Sequence, residues 1–202
     1  MIAGILLAAG ASTRMGGANK LLLPYRGEPM VCGPARALLE AGLRPVVVVV
    51  GHDADAVERA LEHLPVHTVV NPDFREGMGA SLRAGVEALA PDAEAVAVAL
   101  GDLPALSGRS VRAVVEAFRA SPRGIAVPVF RGRRGHPVVF DLCRYRAALA
   151  AVHGDRGARA VVAAHPGDVL EVPVDDPGVV QDVDTPEAYE GLRLEGRDGE
   201  VP

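Results

Sequence analysis

The chain has 202 residues, 49% apolar and only 3% aromatic, with a net charge of −5. That length suits one domain with a sizeable core of Val, Leu, Ala and Ile, the usual filling of a parallel sheet covered by helices. The acidic balance argues against nucleic acid or an anionic membrane as partner. Cys32 and Cys143 lie too far apart for a disulfide framework or a Cys-x-x-Cys zinc site, and they read as core thiols in a reducing compartment. The apolar start is too short to span a membrane and lacks a basic leader, so the expectation is a cytoplasmic protein.

The first predicted element is the strand beginning at Ile2. It runs into Leu7-Ala8-Ala9-Gly10-Ala11-Ser12-Thr13-Arg14-Met15-Gly16-Gly17-Ala18-Asn19-Lys20. Small residues let a backbone approach a ligand closely, and successive amides can form an anion-binding nest. Arg14 and Lys20 add fixed positive charge at a spacing that suits a polyphosphate. Neither Gly-x-x-x-x-Gly-Lys-Ser/Thr nor Gly-x-Gly-x-x-Gly occurs here, which sets aside the P-loop and the dinucleotide fingerprint.

Pro29 to Ala41 reads as a helix ended by Gly42, and Pro45 to Val50 as a strand buried on both faces. A helix over Asp53 to Leu64 and a short strand over Val66 to Val70 follow. The loop Asn71-Pro72-Asp73-Phe74-Arg75-Glu76-Gly77 leads into a helix over Gly79 to Leu89. Ser81 near its start either touches a nucleotide or caps the helix. Ala93 to Leu100 is a buried strand ending at Gly101-Asp102. Ser107 to Ala120 is a helix with Ser107 as N-cap. This alternation predicts a mostly parallel α/β sheet with helices on both faces, whose ligands lie beyond the carboxyl ends of the strands. Asp102 falls at that end, where it either closes a turn or holds Mg²⁺, a hard cation that favours carboxylate and phosphate oxygens.

Farther along, Gly124 to Phe130 and Pro137 to Phe140 read as strands around the basic turn Arg131-Gly132-Arg133-Arg134-Gly135. A helix near Asp141 to Val152 comes next, and then Gly154-Asp155-Arg156-Gly157-Ala158-Arg159 leads into another. Both charged turns are either solvated or bind a second anionic substrate. His52, His63, His67, His153 and His165 show no metal-ligand spacing. Val169 to Val174 is a strand, and Val179 to Val183 reads as one more. Within it, Asp182 and Asp184 would share a face and could reach one ion, unless Asp184 only precedes the final helix. That helix covers Pro186 to Leu192 with Thr185 as N-cap. Residues 195–202 read as a frayed polar tail.

The opening motif through Lys20 resembles the signature of sugar-nucleotide-type nucleotidyltransferases. Asn71-Pro72, Gly77-Met78-x-x-Ser81-Leu82-x-x-Gly85, Gly101-Asp102-x-Pro104, Gly135-His136-Pro137, Gly154-Asp155-x-Gly157-Ala158-Arg159 and Asp182-x-Asp184-Thr185-Pro186-Glu187 narrow it. In this order they resemble the molybdenum cofactor cytidylyltransferases from residue 2 to about 192, with residues 1–194 as the transferase domain. The resemblance implies a Rossmann-like fold and transfer of CMP from CTP to the terminal phosphate of molybdopterin, releasing pyrophosphate. The product would pass to a molybdenum hydroxylase or its maturation factor.

It also implies roles. Leu7, Ala8, Ala9, Gly10, Ala11 and Ser12 would seat the nucleotide with Asn71 and Ser81. Arg14 and Lys20 would neutralise the triphosphate, and Asp102 with Asp184 or Asp182 would hold Mg²⁺. His136, Asp155 and Arg159 would meet the acceptor. Leu7-Ala8-Ala9-Gly10 stands where related guanylyltransferases carry Leu-Ala-Gly-Gly, which favours CTP, while Gly16-Gly17 is similar to the guanylyl enzymes. Alternatives are the same fold acting with GTP or on a sugar or lipid phosphate, and a protein that binds nucleotide or cofactor without chemistry.

Overall fold

In the computed structural model, which describes residues 1–11 and 19–197, the opening strand β1 (Ile2–Ala8) is buried along its whole length. It leads through the small hairpin β2 (Pro24–Tyr25) and β3 (Glu28–Pro29) to α1 (Cys32–Glu40). Then come β4 (Val46–Val50), α2 (Ala54–Leu61), β5 (His67–Val70), α3 (Met78–Glu87), β6 (Ala95–Leu100) and α4 (Gly108–Arg119). The second half contributes β7 (Ile125–Phe130), β8 (Arg133–Arg134), β9 (Val138–Asp141), α5 (Leu142–Ala150), α6 (Arg159–Ala164), β10 (Val169–Pro173) and α7 (Pro186–Arg197).

The main sheet has the order β10-β7-β9-β6-β1-β4-β5, with β8 paired to β7. β1 lies parallel to both β4 and β6, with Gly4 opposite Val46 on one side and Ala97 on the other. β9 runs against both its neighbours, β6 and β7. The chain reverses after β7 through Arg131 and Gly132, at φ 47° and 79°. Two successive left-handed residues are what a tight hairpin turn requires. The expected basic turn is therefore a hairpin tip, and Arg134 pairs at the surface with Glu171 at 2.7 Å.

Alternation along the strands makes two cores. Ile2, Leu6 and Ala8 face the layer of α1, α2 and α4, whereas Ala3, Ile5 and Leu7 face that of α3, α5 and α6. Gly85 lets α3 settle onto the sheet, because a Cβ there would lie 2.9 Å from Ile5. A third cluster joins Tyr25 and Met30 to Val183, Tyr189 and Leu192, and the Tyr189 hydroxyl donates to Pro24 O at 2.7 Å.

Several expectations are corrected. Val179 to Val183 is not a strand: Pro177–Val179 is a 3-10 turn and the chain then runs irregularly to Asp184. α1 starts at Cys32 because Pro29 is paired with Pro24 in the hairpin. α7 continues past Leu192 to Arg197, while residues 198–202 lie outside the described residues. Cys32 is a core thiol, but Cys143 is exposed on the first turn of α5. No helix among the described residues is long and apolar enough to cross a membrane.

Candidate active site

β1 and β6 end side by side, and Gly101 N donates to Leu7 O at 2.9 Å across their exits. Beyond lies a cavity of about 760 Å³, lined in part by Leu7, Ala8, Ala9, Gly10, Ala11, Lys20, Ser81, Asp102 and Asp184. This is the end of a parallel sheet where ligands collect, since loops there are free to vary around a fixed scaffold. Gly10 is exposed, its φ lies outside the left-handed region, and a Cβ there would meet nothing within 4 Å. Neither packing nor backbone conformation accounts for that glycine. Ser12 and Arg14, expected in the same loop, lie outside the described residues.

The turn Lys20–Leu22 sets the charged centre. Asn19 caps it, accepting from Leu21 N at 3.1 Å, and its Nδ2 donates to His52 O at 3.4 Å. Lys20 Nζ then lies 2.6 Å from Asp102 Oδ2 and 2.7 Å from Asp184 Oδ1. Asp184 reaches this point because Val183 N donates to Asp102 O at 3.0 Å. Asp182, by contrast, is exposed and absent from the cavity lining, because the segment is not a strand and buried Val183 turns inward between the two. Asp184 thus shares Lys20 with Asp102, while the negative charge of Asp182 as well as that of Asp184 adds to the upward push of burial on the Asp102 carboxyl.

Burial pushes the Asp102 carboxyl above its ordinary range, against the pull of Lys20. Burial would lower Lys20, but Asp102 and Asp184 outweigh it and hold the ammonium above its usual value. Among the described residues, the Asp102 and Asp184 carboxylates thus both contact the Lys20 ammonium. Among the described residues, Asp102 Oδ1 is the buried polar side-chain atom without a hydrogen-bond partner. A buried carboxylate oxygen without a hydrogen-bond partner is the donor chemistry that a hard divalent cation satisfies, so these residues fit such an ion.

A small cleft adjoins the cavity and shares Leu7, Met78, Leu100 and Asp155 with it. His136, Asp155 and Arg159 line it together. His136 is buried, and burial pushes its imidazole down to about 4, so the ring is neutral near pH 7. Its Nδ1 lies 3.3 Å from Val98 O, and a carbonyl only accepts, so Nδ1 carries the proton. His136 N donates to Val179 O at 2.8 Å, which anchors this segment to the turn before Asp184. Gly77, at φ 103°, sits where a Cβ would lie 2.5 Å from Asp155 Oδ1.

Asn71 stands behind the cavity instead of lining it. It is buried, donates from Nδ2 to Ser81 Oγ at 3.1 Å and accepts from Asp73 N at 3.0 Å. It positions Ser81, which does line the space. The residue reading missed Phe74, Arg75 and Met78 on the lining. An aromatic, a cation and a methionine inside a loop between Asn71 and Ser81 were the available signal. Arg75 stacks over Phe74 with its guanidinium 5.6 Å from the ring centroid. Asn19 was also missed as the residue that aims Lys20.

Residues 4–169 match the model of the MobA-like NTP transferase domain. The chain belongs to the MobA-like NTP transferase family. A relative from Paenarthrobacter nicotinovorans, named nicotine blue oxidoreductase, is 38% identical over 193 residues, covering 92% of this chain and 93% of that one. Among solved structures, Rv0371c from Mycobacterium tuberculosis superposes with TM-score 0.84 at 31% identity, covering 96% of this chain and 97% of that one. A second structure of Rv0371c, a complex with manganese, gives TM-score 0.81 at 30% identity, with coverage of 96% and 98%. A nucleotidyl transferase from Methanothermobacter thermautotroptrophicus gives TM-score 0.84 at 26% identity, covering 98% of each chain. The MobA-like chain is thus a nucleotidyltransferase, with the Rossmann-like α/β fold of these neighbours.

Proposed function

We propose that this MobA-like transferase moves CMP from CTP to the terminal phosphate of molybdopterin, releasing pyrophosphate and forming molybdopterin cytosine dinucleotide. The observation that carries the reading is the Lys20–Asp102–Asp184 cluster, which lines one cavity with the open glycine Gly10, while the His136–Arg159 cleft adjoins that cavity. That layout suits a nucleotide in the cavity at the charged centre and an anionic acceptor in the adjoining cleft.

The amides and small side chains of Leu7, Ala8, Ala9, Gly10, Ala11 and Ser12 would seat the nucleotide, with Ser81 held in place by Asn71. An acceptor phosphate oxygen forms a bond to the α-phosphorus as the bridging bond to the β-phosphate breaks, and the electron pair leaves with pyrophosphate. Such transfer depends on positioning and electrostatic stabilisation, and a phosphate dianion needs no general base. Lys20 and Arg14 neutralise the triphosphate and the leaving group. Mg²⁺, for which the complex of a neighbour with manganese is a parallel, would be held by Asp102 and Asp184 and would supply charge neutralisation at the α-phosphate. Arg159 supplies charge for the acceptor, and neutral His136 offers its unprotonated nitrogen to a donor on it. Ala9, where related guanylyltransferases carry glycine, is the residue assigned the choice of CTP. The reaction fits a cytoplasmic setting and delivery of the product to a molybdenum hydroxylase or its maturation factor.

A second reading comes from the relative named nicotine blue oxidoreductase, at 38% identity. The donor set among the described residues, the Lys20 ammonium with the Asp102 and Asp184 carboxylates, suits phosphate and metal better than an electron carrier. The deciding experiment is a pyrophosphate-release screen of the four ribonucleotides with Mg²⁺, with and without molybdopterin, beside oxidation of a reduced nicotinamide nucleotide. Release with CTP that requires molybdopterin is the expected result. Release with GTP, or with a sugar or lipid phosphate as acceptor, reassigns the substrate. CTP binding without release marks a non-catalytic binder, and redox turnover alone overturns the transferase reading.

A further inference from the structure

Away from the cavity, three donor groups of different chemistry meet. Glu28 of β3, Cys32 at the start of α1 and His63 just past α2 bring a carboxylate oxygen, a thiol sulfur and an imidazole nitrogen within 4.8 Å of one another. His63 Nε2 lies 4.0 Å from Glu28 Oε2. Arg36, one turn along α1, donates to that same oxygen at 2.5 Å. Cys32 Sγ donates to Ala60 O at 3.3 Å.

We propose that Glu28, Cys32 and His63 form a second, chemically distinct cation site that takes a thiophilic divalent ion, for which Zn²⁺ is the best match. A soft thiolate with an imidazole and one carboxylate is a donor set for zinc; hard Mg²⁺ asks for oxygen alone. Tetrahedral bonds of about 2.0–2.3 Å set donor atoms roughly 3.3–3.8 Å apart, so closing a cluster that spans 4.8 Å asks for tip movements of about 1 Å. The site grades outward from buried Cys32 through half-buried Glu28 to exposed His63. The ion therefore enters from the His63 side and keeps a water in its fourth position. On binding, the Cys32 thiol gives up its proton to solvent and its hydrogen bond to Ala60. Arg36 remains as the outer partner that orients Glu28, the kind of support ligating carboxylates receive. Cys32 and His63 are 31 residues apart in sequence, and they meet where the start of α1 touches the end of α2 at the Cys32–Ala60 bond.

The test is a Co²⁺ titration of the full chain carrying Cys143→Ser, which leaves Cys32 as the one thiol of two in the sequence. The expected result is a near-ultraviolet thiolate-to-cobalt charge-transfer band that saturates at one ion per chain and is discharged by Zn²⁺. The band disappears in Cys32→Ser. Because that buried change can also disturb folding, the exposed His63→Gln and the half-buried Glu28→Gln serve as independent tests, each weakening Co²⁺ binding about tenfold or more. Absence of the thiolate band in the Cys143→Ser protein, or a band indifferent to both His63→Gln and Glu28→Gln, overturns the site. The Asp102–Asp184 cluster has no thiolate to produce this signal, so the outcome is independent of the nucleotidyltransfer reading.

Discussion

Asp102 is caught between opposing demands: burial penalises its charge, while Lys20 at 2.6 Å stabilises it and Oδ1 is left without a partner. Removing the charge should therefore cost catalysis more than folding. Asp102→Asn is expected to lower magnesium-dependent pyrophosphate release by about 100-fold or more, with an unchanged circular dichroism spectrum; turnover within a factor of two of the parent would remove Asp102 from the mechanism. His136 makes a different prediction. Its folded-state value of about 4 lies below the 6.5 of the unfolded chain. Between those values the unfolded chain binds more protons, so stability falls as pH drops from about 6.5 to 4. The size is roughly 3 kcal/mol. Urea unfolding at pH 7 and pH 4 should show that the parent loses about this much more stability than His136→Gln, and equal losses would mean the imidazole is not held neutral by burial.

At the scale of elements, caps and turns decide where side chains point. Asp141 ends β9 and caps α5, accepting from Cys143 N at 2.8 Å and from Arg144 N at 3.3 Å. Asp141→Ala should destabilise the fold by about 1 kcal/mol, read as a lower urea midpoint with an unchanged slope, while pyrophosphate release at 25 °C stays near the parent rate. Ser107 does as its residue type predicts and accepts from Ser110 N at 3.2 Å. The segment 179–183 does not follow its residue types. Its valines suggest a strand, yet the segment follows the turn Pro177–Val179, its amides and carbonyls bond to Asp102 and His136 instead of a sheet edge, and Val183 is drawn into the cluster with Tyr25 and Tyr189. Apolar runs report burial, not the partner that buries them.

For the whole molecule, the central position of β9 is the feature that joins the two halves. Phe140 on β9 is fully buried and packs edge-on to Tyr145 with ring centroids 6.3 Å apart. Phe140→Ala should cost roughly 3–5 kcal/mol, a large share of the stability of a domain this size, and a shift in urea midpoint smaller than that of Asp141→Ala would contradict the central placement. By itself, the sequence determined the strand–helix alternation, the ends of most elements and the glycine-rich exit from β1, because period, capping residues and small side chains are local properties. It also singled out Lys20, Asp102 and Asp184 as charged groups at strand and loop ends. Only the tertiary structure decided that Asp184 shares Lys20 with Asp102, that Asn71 supports Ser81 from behind, that Cys143 is exposed, and that Cys32 lies beside Glu28 and His63. Lys20 meets Asp102 across 82 residues and Asp184 across 164, and encounters at such separations depend on how strands order and loops cross, which no local pattern encodes.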